Sequence, residues 1–137
     1  MYYDPSKGHG LPHNPFNAIV SPRPIGWVST RSKDGIDNLA PYSFFNAVAY
    51  TPPQVMFSAT SAKADQDGTK DTVANIRETG AFCVNIVSEK QLFEMNKSSQ
   101  ALSKEIDEFE FSDIEKQECN AISCSLVAGG PAALECK

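Results

Sequence analysis

Histidine is nearly absent from this sequence. Its two copies, His9 and His13, lie in the N-terminal segment, where Gly8, Gly10 and Pro12 work against the helix that would bring an i, i+4 pair onto one metal ion. The four cysteines, Cys83, Cys119, Cys124 and Cys136, show no C-x-x-C spacing, so a zinc site has little to build on. No apolar run approaches the roughly 20 residues of a membrane-spanning helix. The first fifteen residues are polar and rich in Gly, Pro and His, unlike a signal peptide. The expectation is therefore a cytoplasmic protein with reduced thiols, Cys83 being a small buried hydrophobe within AFCVNIV. Positive charge is also scarce: 12 Lys and Arg stand against 17 Asp and Glu, a net charge of −5 without basic clustering, which argues against nucleic acid. It leaves room for a small anionic ligand where positive groups gather locally. The glycine patterns of dinucleotide-binding and P-loop folds, G-x-G-x-x-G and G-x-x-x-x-G-K-[ST], are missing.

What is present is the make-up of one ordinary domain: 137 residues, 41% hydrophobic and 21% charged, enough for a single core. Residues 1–18 read as a lead-in loop with Pro5, Pro12 and Pro15. A strand is expected over 24–30, with Ile25 and Trp27 on one face and Val28 and Thr30 on the other. RSKDGID follows as a turn pivoting on Asp34-Gly35, then a return strand over 39–45. Pro41 has no N–H to give a ladder, which implies an edge, a bulge or backbone that faces something other than a strand. PPQVMFSAT predicts a proline-marked turn and a strand over 54–59, and SAKADQDG a polar loop. KDTVANIRETG predicts a helix with Asp71 as N-cap, Val73 and Ile76 on its apolar face, Ala74 and Arg77 beside them, and Gly80 as its stop. AFCVNIV reads as a strand, SEKQLFEMN as a helix capped by Ser88, and KEIDEFEF as a short acidic helix. The pattern is weak over 112–130, and 132–136 begins another strand. Short strands interrupted by helices fit an antiparallel barrel or α+β sheet.

Three pieces stand out: GWVST on one strand, NLAPYSFFN on its partner and KDT at a helix start. Separately they read as a polar outer face, an edge strand and a solvated helix cap. Together they give hydroxyls on adjacent strands, backbone freed near Pro41, aromatic surfaces in Trp27, Tyr42, Phe44 and Phe45, and Lys70 at a helix N-terminus. Exposed amides and hydroxyls suit the polar edge of a flat heteroaromatic ring, and a helix dipole with a lysine suits a phosphate dianion.

The run SPRPIGWVSTRSKDGIDNLAPYSFFNAVAYTPPQVMFSAT, then KDTVANIRETGAFCVNIVS, the MN of LFEMN, DEFEF and ALECK, taken in this order, resemble the flavin reductase-like family of FMN-binding split barrels from about Asn17 onward. The resemblance implies a mainly β fold with helices, a homodimer binding FMN near the subunit interface, and NAD(P)H-dependent reductase activity. It places Val28, Ser29 and Thr30 along the flavin, and Pro41, Tyr42, Ser43 and Phe44 against the isoalloxazine ring. Ser58, Lys70, Asp71 and Thr72 would surround the ribityl phosphate, with Asn75 supporting the helix. The family's chain normally continues past the ECK block with further strands, so residues 1–137 are expected to form a single split-barrel domain lacking C-terminal strands.

The function expected is transfer of hydride from NADH or NADPH through bound FMN to free flavin or another acceptor. Because that chemistry belongs to the cofactor, no protein acid or base is assigned. An FMN-binding electron carrier, or an inactive flavin-binding module, is the alternative. A third reading, an interaction domain using the DEFEF face, is weaker, since acidic runs of that length are usually solvated.

Overall fold

The protein, analysed as a computed structural model, is described over residues 2–60 and 68–137; most of the expected SAKADQDG loop lies outside these. Its centre is a hairpin of β1 (Gly26–Arg31) and β2 (Asp37–Tyr42), paired antiparallel from Gly26 opposite Tyr42 to Arg31 opposite Asp37. The turn closes as expected, with the Ser32 amide donating to the Ile36 carbonyl at 2.9 Å and Gly35 at φ 84°. Both faces of β1 are covered. Trp27 packs with Leu39, Phe109 and Val127, and Val28 packs with Tyr42 and Val84 on the other side. Burial on both faces explains a strand rich in apolar and small polar residues rather than a simple in–out alternation.

A short helix α1 (Pro15–Ile19), capped by Asn14, occupies part of what the sequence suggested was only loop. β5 (Phe82–Asn85) pairs with β1, and β8 (Ala133–Cys136) with β5, giving an antiparallel sheet in the order β2-β1-β5-β8. Pro41 thus lies on an edge strand, opposite Trp27, the kind of position where a sheet tolerates a residue without an N–H. The return strand stops at Tyr42, short of the expected position 45. After a bend at Ser43 and Phe44 the chain starts β3 (Phe45–Tyr50), a strand not expected from the sequence, which pairs with β4 (Pro53–Phe57). The interleaved alanines of FNAVAY give little β signal, and only the β4 partner reveals the strand.

Helix α2 (Asp71–Thr79) ends at Gly80, whose φ of 71° is the left-handed stop expected. Its N-cap is Lys70 rather than Asp71, which is the first helical residue. Its inward face also differs from the apolar reading. Thr72 and Asn75 are its buried residues, because they hydrogen-bond to β1 and β2, while Val73 and Ile76 are half-buried. Ser88 and Gln91 form a capping box ahead of α3 (Leu92–Lys97). The acidic helix α4 (Glu108–Ser112), capped by Asp107, starts later than expected. The weakly patterned segment holds β6 (Lys116–Glu118) paired with β7 (Ser125–Val127).

Among the described residues the strands form one four-stranded and two two-stranded antiparallel sheets, a mixed α+β arrangement without a closed barrel. No helix among them is long and apolar enough to cross a membrane. Asp37, 3% exposed, anchors one end of the molecule: it accepts from Arg31 Nε at 2.8 Å, Lys116 Nζ at 3.0 Å and Ser125 Oγ at 2.7 Å. All four cysteines are free, and burial pushes the Cys83 thiol up to about 11 and Cys124 up to about 12.

Candidate functional site

The bend between β2 and β3 opens a cleft of about 230 Å³. Pro41, Tyr42, Ser43 and Phe44 line it from the bend, Ser58 and Thr60 from beyond β4, Lys70 from the N-cap of α2, and Arg23 and Asn17 from the lead-in. The Ser58 amide donates to the Phe44 carbonyl at 2.8 Å, which ties the end of β4 to the bend and brings the two serines to one wall. Arg23 is fixed from three sides. It donates to the Asn17 carbonyl at 3.0 Å and the Val20 carbonyl at 2.5 Å, its Nε lies 3.4 Å from Ser43 Oγ, and its guanidinium sits 5.2 Å from the centre of the Phe44 ring. Lys70 Nζ stands 5.4 Å from the centre of the Tyr42 ring.

Two cations, one of them the N-cap residue of the nine-residue helix α2, and the hydroxyls of Ser43, Ser58 and Thr60 therefore meet in one recess. Helix N-terminal amides have no intrahelical acceptors, and hydroxyl, guanidinium and ammonium donors all favour an anion. This donor set fits a phosphate monoester.

The chain matches the flavin reductase like domain over residues 20–137. It belongs to that family. A protein of Aquifex aeolicus, known only as uncharacterized, is 40% identical over 119 residues, covering 87% of this chain and 60% of its own length. The fold is similar to that of the nitrilotriacetate monooxygenase component B of Bacillus cereus, with a TM-score of 0.84 and 28% identity over 99% of this chain and 66% of that one. An FMN-binding domain of a flavin reductase-like enzyme from Shewanella baltica is also similar, with a TM-score of 0.68 and 28% identity over 83% of this chain and 56% of that one. This flavin reductase-like chain thus spans about 60% of the length of the Aquifex relative.

The other sequence-derived candidates lie elsewhere in the flavin reductase-like fold. Asp71 and Thr72 join Tyr42 and Lys70 around a neighbouring chamber of about 240 Å³. Val28, Ser29, Thr30 and Asn75 are interior. Val28 is core, and Ser29 Oγ donates to the Ser125 carbonyl at 2.6 Å and accepts from Asn85 Nδ2 at 3.1 Å. Thr30 Oγ1 accepts from Asn75 Nδ2 at 3.0 Å, and Asn38 Oδ1 accepts from Thr72 Oγ1 at 2.6 Å. These bonds fix the start of α2, and with it Lys70, against the hairpin.

Sequence reasoning missed Arg23 and Glu108. Arg23 lies within the resembling block but reaches the site through a contact with Ser43, twenty residues on. Glu108, from the acidic run read as solvated, is 5% exposed; its Oε2 accepts from Asn38 Nδ2 at 2.9 Å and the Leu39 amide at 3.1 Å. Burial pushes its carboxyl up to about 7.

Proposed function

We propose that this protein binds FMN and works as an NAD(P)H-dependent flavin reductase. The observation that carries the reading is the convergence of Arg23, Lys70, Ser43, Ser58 and Thr60 beside the Tyr42 and Phe44 rings, in a chain of the flavin reductase like family. In this reading Lys70 and Arg23 neutralise the phosphate of FMN while the serine hydroxyls and the α2 amides donate to its oxygens. Pro41 to Phe44 then present backbone and aromatic surface to the ring. Asp71 and Thr72 complete the phosphate end, and Val28, Ser29, Thr30 and Asn75 hold these elements from behind. The bound flavin supplies the hydride-accepting chemistry, and the protein contributes position, charge and exclusion of water. NADH or NADPH would be the reductant and free flavin or another small acceptor the oxidant. The working form would be a cytoplasmic homodimer, in which the thiols stay reduced.

The test is a titration of the purified protein with FMN, followed by NADH or NADPH. Quenching of flavin fluorescence with saturation and catalytic oxidation of the nicotinamide are expected. Saturable quenching without turnover would identify a flavin-binding carrier instead, and absence of quenching would refute the cofactor assignment.

A further inference from the structure

The face of the sheet opposite Val28 and Val84 carries a row of three side chains, since Ser29 on β1, Cys83 on β5 and Glu135 on β8 lie directly across from one another. Both outer members of the row grip the tip of the β6–β7 hairpin. Ser29 Oγ donates to the Ser125 carbonyl at 2.6 Å, and the Glu135 carboxylate accepts from the Asn120 amide at 2.8 Å and the Ala121 amide at 2.5 Å. The tip therefore lies over the middle member, Cys83, which is fully buried. Cys119 and Cys124 close that tip, the Cys119 amide donating to the Cys124 carbonyl at 2.9 Å. Cys124 is buried, and its thiol donates to the Ser125 carbonyl at 3.3 Å. Cys119 is partly exposed, and its thiol interacts with that of Cys83. Cys136 belongs to the other face, packed with Val28 and Val84.

We propose that Cys83 and Cys119 are a redox pair, which a hydroperoxide converts reversibly to a disulfide. Exposure sets the order of events. The partly exposed Cys119 sulfur takes one oxygen from the hydroperoxide, becoming a sulfenic acid and releasing an alcohol, or water where the oxidant is hydrogen peroxide. The buried Cys83 sulfur then attacks the Cys119 sulfur. The S–S bond forms as the S–OH bond breaks, and the hydroxyl leaves as water with the Cys83 proton. Two thiols thus lose two electrons and two protons, which the cleaved O–O bond takes up. A thiol reductant reverses the reaction by exchange. Because Cys83 stands ready to condense, Cys119 is kept from passing on to the sulfinic acid, a step that thiols do not reverse. Burial foremost pushes the Cys83 thiol up to about 11 and the Cys119 thiol up to about 12, and Glu135 adds to both. The thiolate is the nucleophile, so the pair reacts slowly at neutral pH and closes only under sustained peroxide. Once closed, the bond ties the hairpin tip to β5 and restricts the unfolded chain between them. The inference stands apart from the flavin reading, since neither cysteine lines the phosphate cleft.

The experiment treats the folded protein with hydrogen peroxide at pH 9, where more thiolate is present, removes the oxidant and counts free thiols after denaturation. The count should fall from four to two, and dithiothreitol should restore all four. Tandem mass spectrometry of a digest should find Cys83 joined to Cys119. The oxidised protein should melt roughly 5–10 °C above the reduced one, the scale of a bond that closes a long loop. Cys119→Ser should leave Cys83 a free thiol and remove the rise in melting temperature, while Cys136→Ser, on the other face, should keep both the bond and the rise. Four thiols unchanged after prolonged exposure would overturn the proposal. So would a Cys119–Cys124 link, a link between chains, sulfinic acid at Cys119 with Cys83 still free, or a Cys83–Cys119 link that forms only in urea. Should the variants not fold, the linkage map of the wild type decides.

Discussion

Lys70 and Arg23 reach the same cleft by different means, one from a helix cap and one from a lead-in segment pinned to two carbonyls. A charge-assisted hydrogen bond contributes about 1.5–3 kcal/mol. Lys70→Glu should therefore weaken FMN binding more than tenfold while leaving riboflavin, which has no phosphate, nearly unaffected. Equal loss for both ligands in a fluorescence titration would remove Lys70 from the phosphate site. Glu108 makes a second residue-scale prediction. Burial raises its carboxyl from an ordinary 4.5 to about 7, so the folded state holds a proton that the unfolded chain releases between those values. Stability from this group is complete below pH 4.5 and is lost as pH rises to about 7. At about 1.4 kcal/mol per pH unit the loss is at most on the order of 3 kcal/mol. Glu108→Gln should flatten that slope in urea unfolding measured from pH 5 to pH 8. An unchanged slope would show that Glu108 does not hold the proton.

At the scale of elements, α2 illustrates how a helix can be readable in its ends and unreadable in its face. Gly80 lies at φ 71°, and an added Cβ there would meet no atom within 4 Å. Gly80→Ala should cost about 1 kcal/mol from backbone conformation alone. Gly26, at the start of β1, is the opposite case: a Cβ would come within 2.8 Å of the Phe45 ring. Gly26→Ala should cost about 1–3 kcal/mol through overpacking, and differential unfolding of the two variants checks both values. The stop at Gly80 was legible because positive φ is a local demand. The buried stripe of Thr72 and Asn75 was not, because apolar periodicity points to Val73 and Ile76, whereas the polar pair is buried only when Thr30 and Asn38 stand opposite to bond it.

For the whole molecule, the β3–β4 hairpin leaves Val48 55% exposed, Tyr50 91% and Met56 52%. An exposed apolar group on a short hairpin next to the Arg23–Lys70 cleft suits a two-fold interface between copies. Light scattering at micromolar concentration should report a homodimer, and Val48→Lys with Met56→Lys should yield a monomer; a monomeric wild type with FMN bound would refute it. Local chemistry in the sequence was enough to set the β1–β2 hairpin, its Asp34-Gly35 turn, the Ser88 cap and the blocks that mark the family, since each depends on neighbours a few residues apart. Tertiary structure alone decided that Ser29 and Thr30 turn their hydroxyls inward, that Arg23 reaches the cleft beside Ser43, and that Glu108 leaves an acidic run to bond Asn38, seventy residues away. A buried polar group is stable only with its partners in place, and those partners lie far along the chain, where no periodicity in the sequence records them.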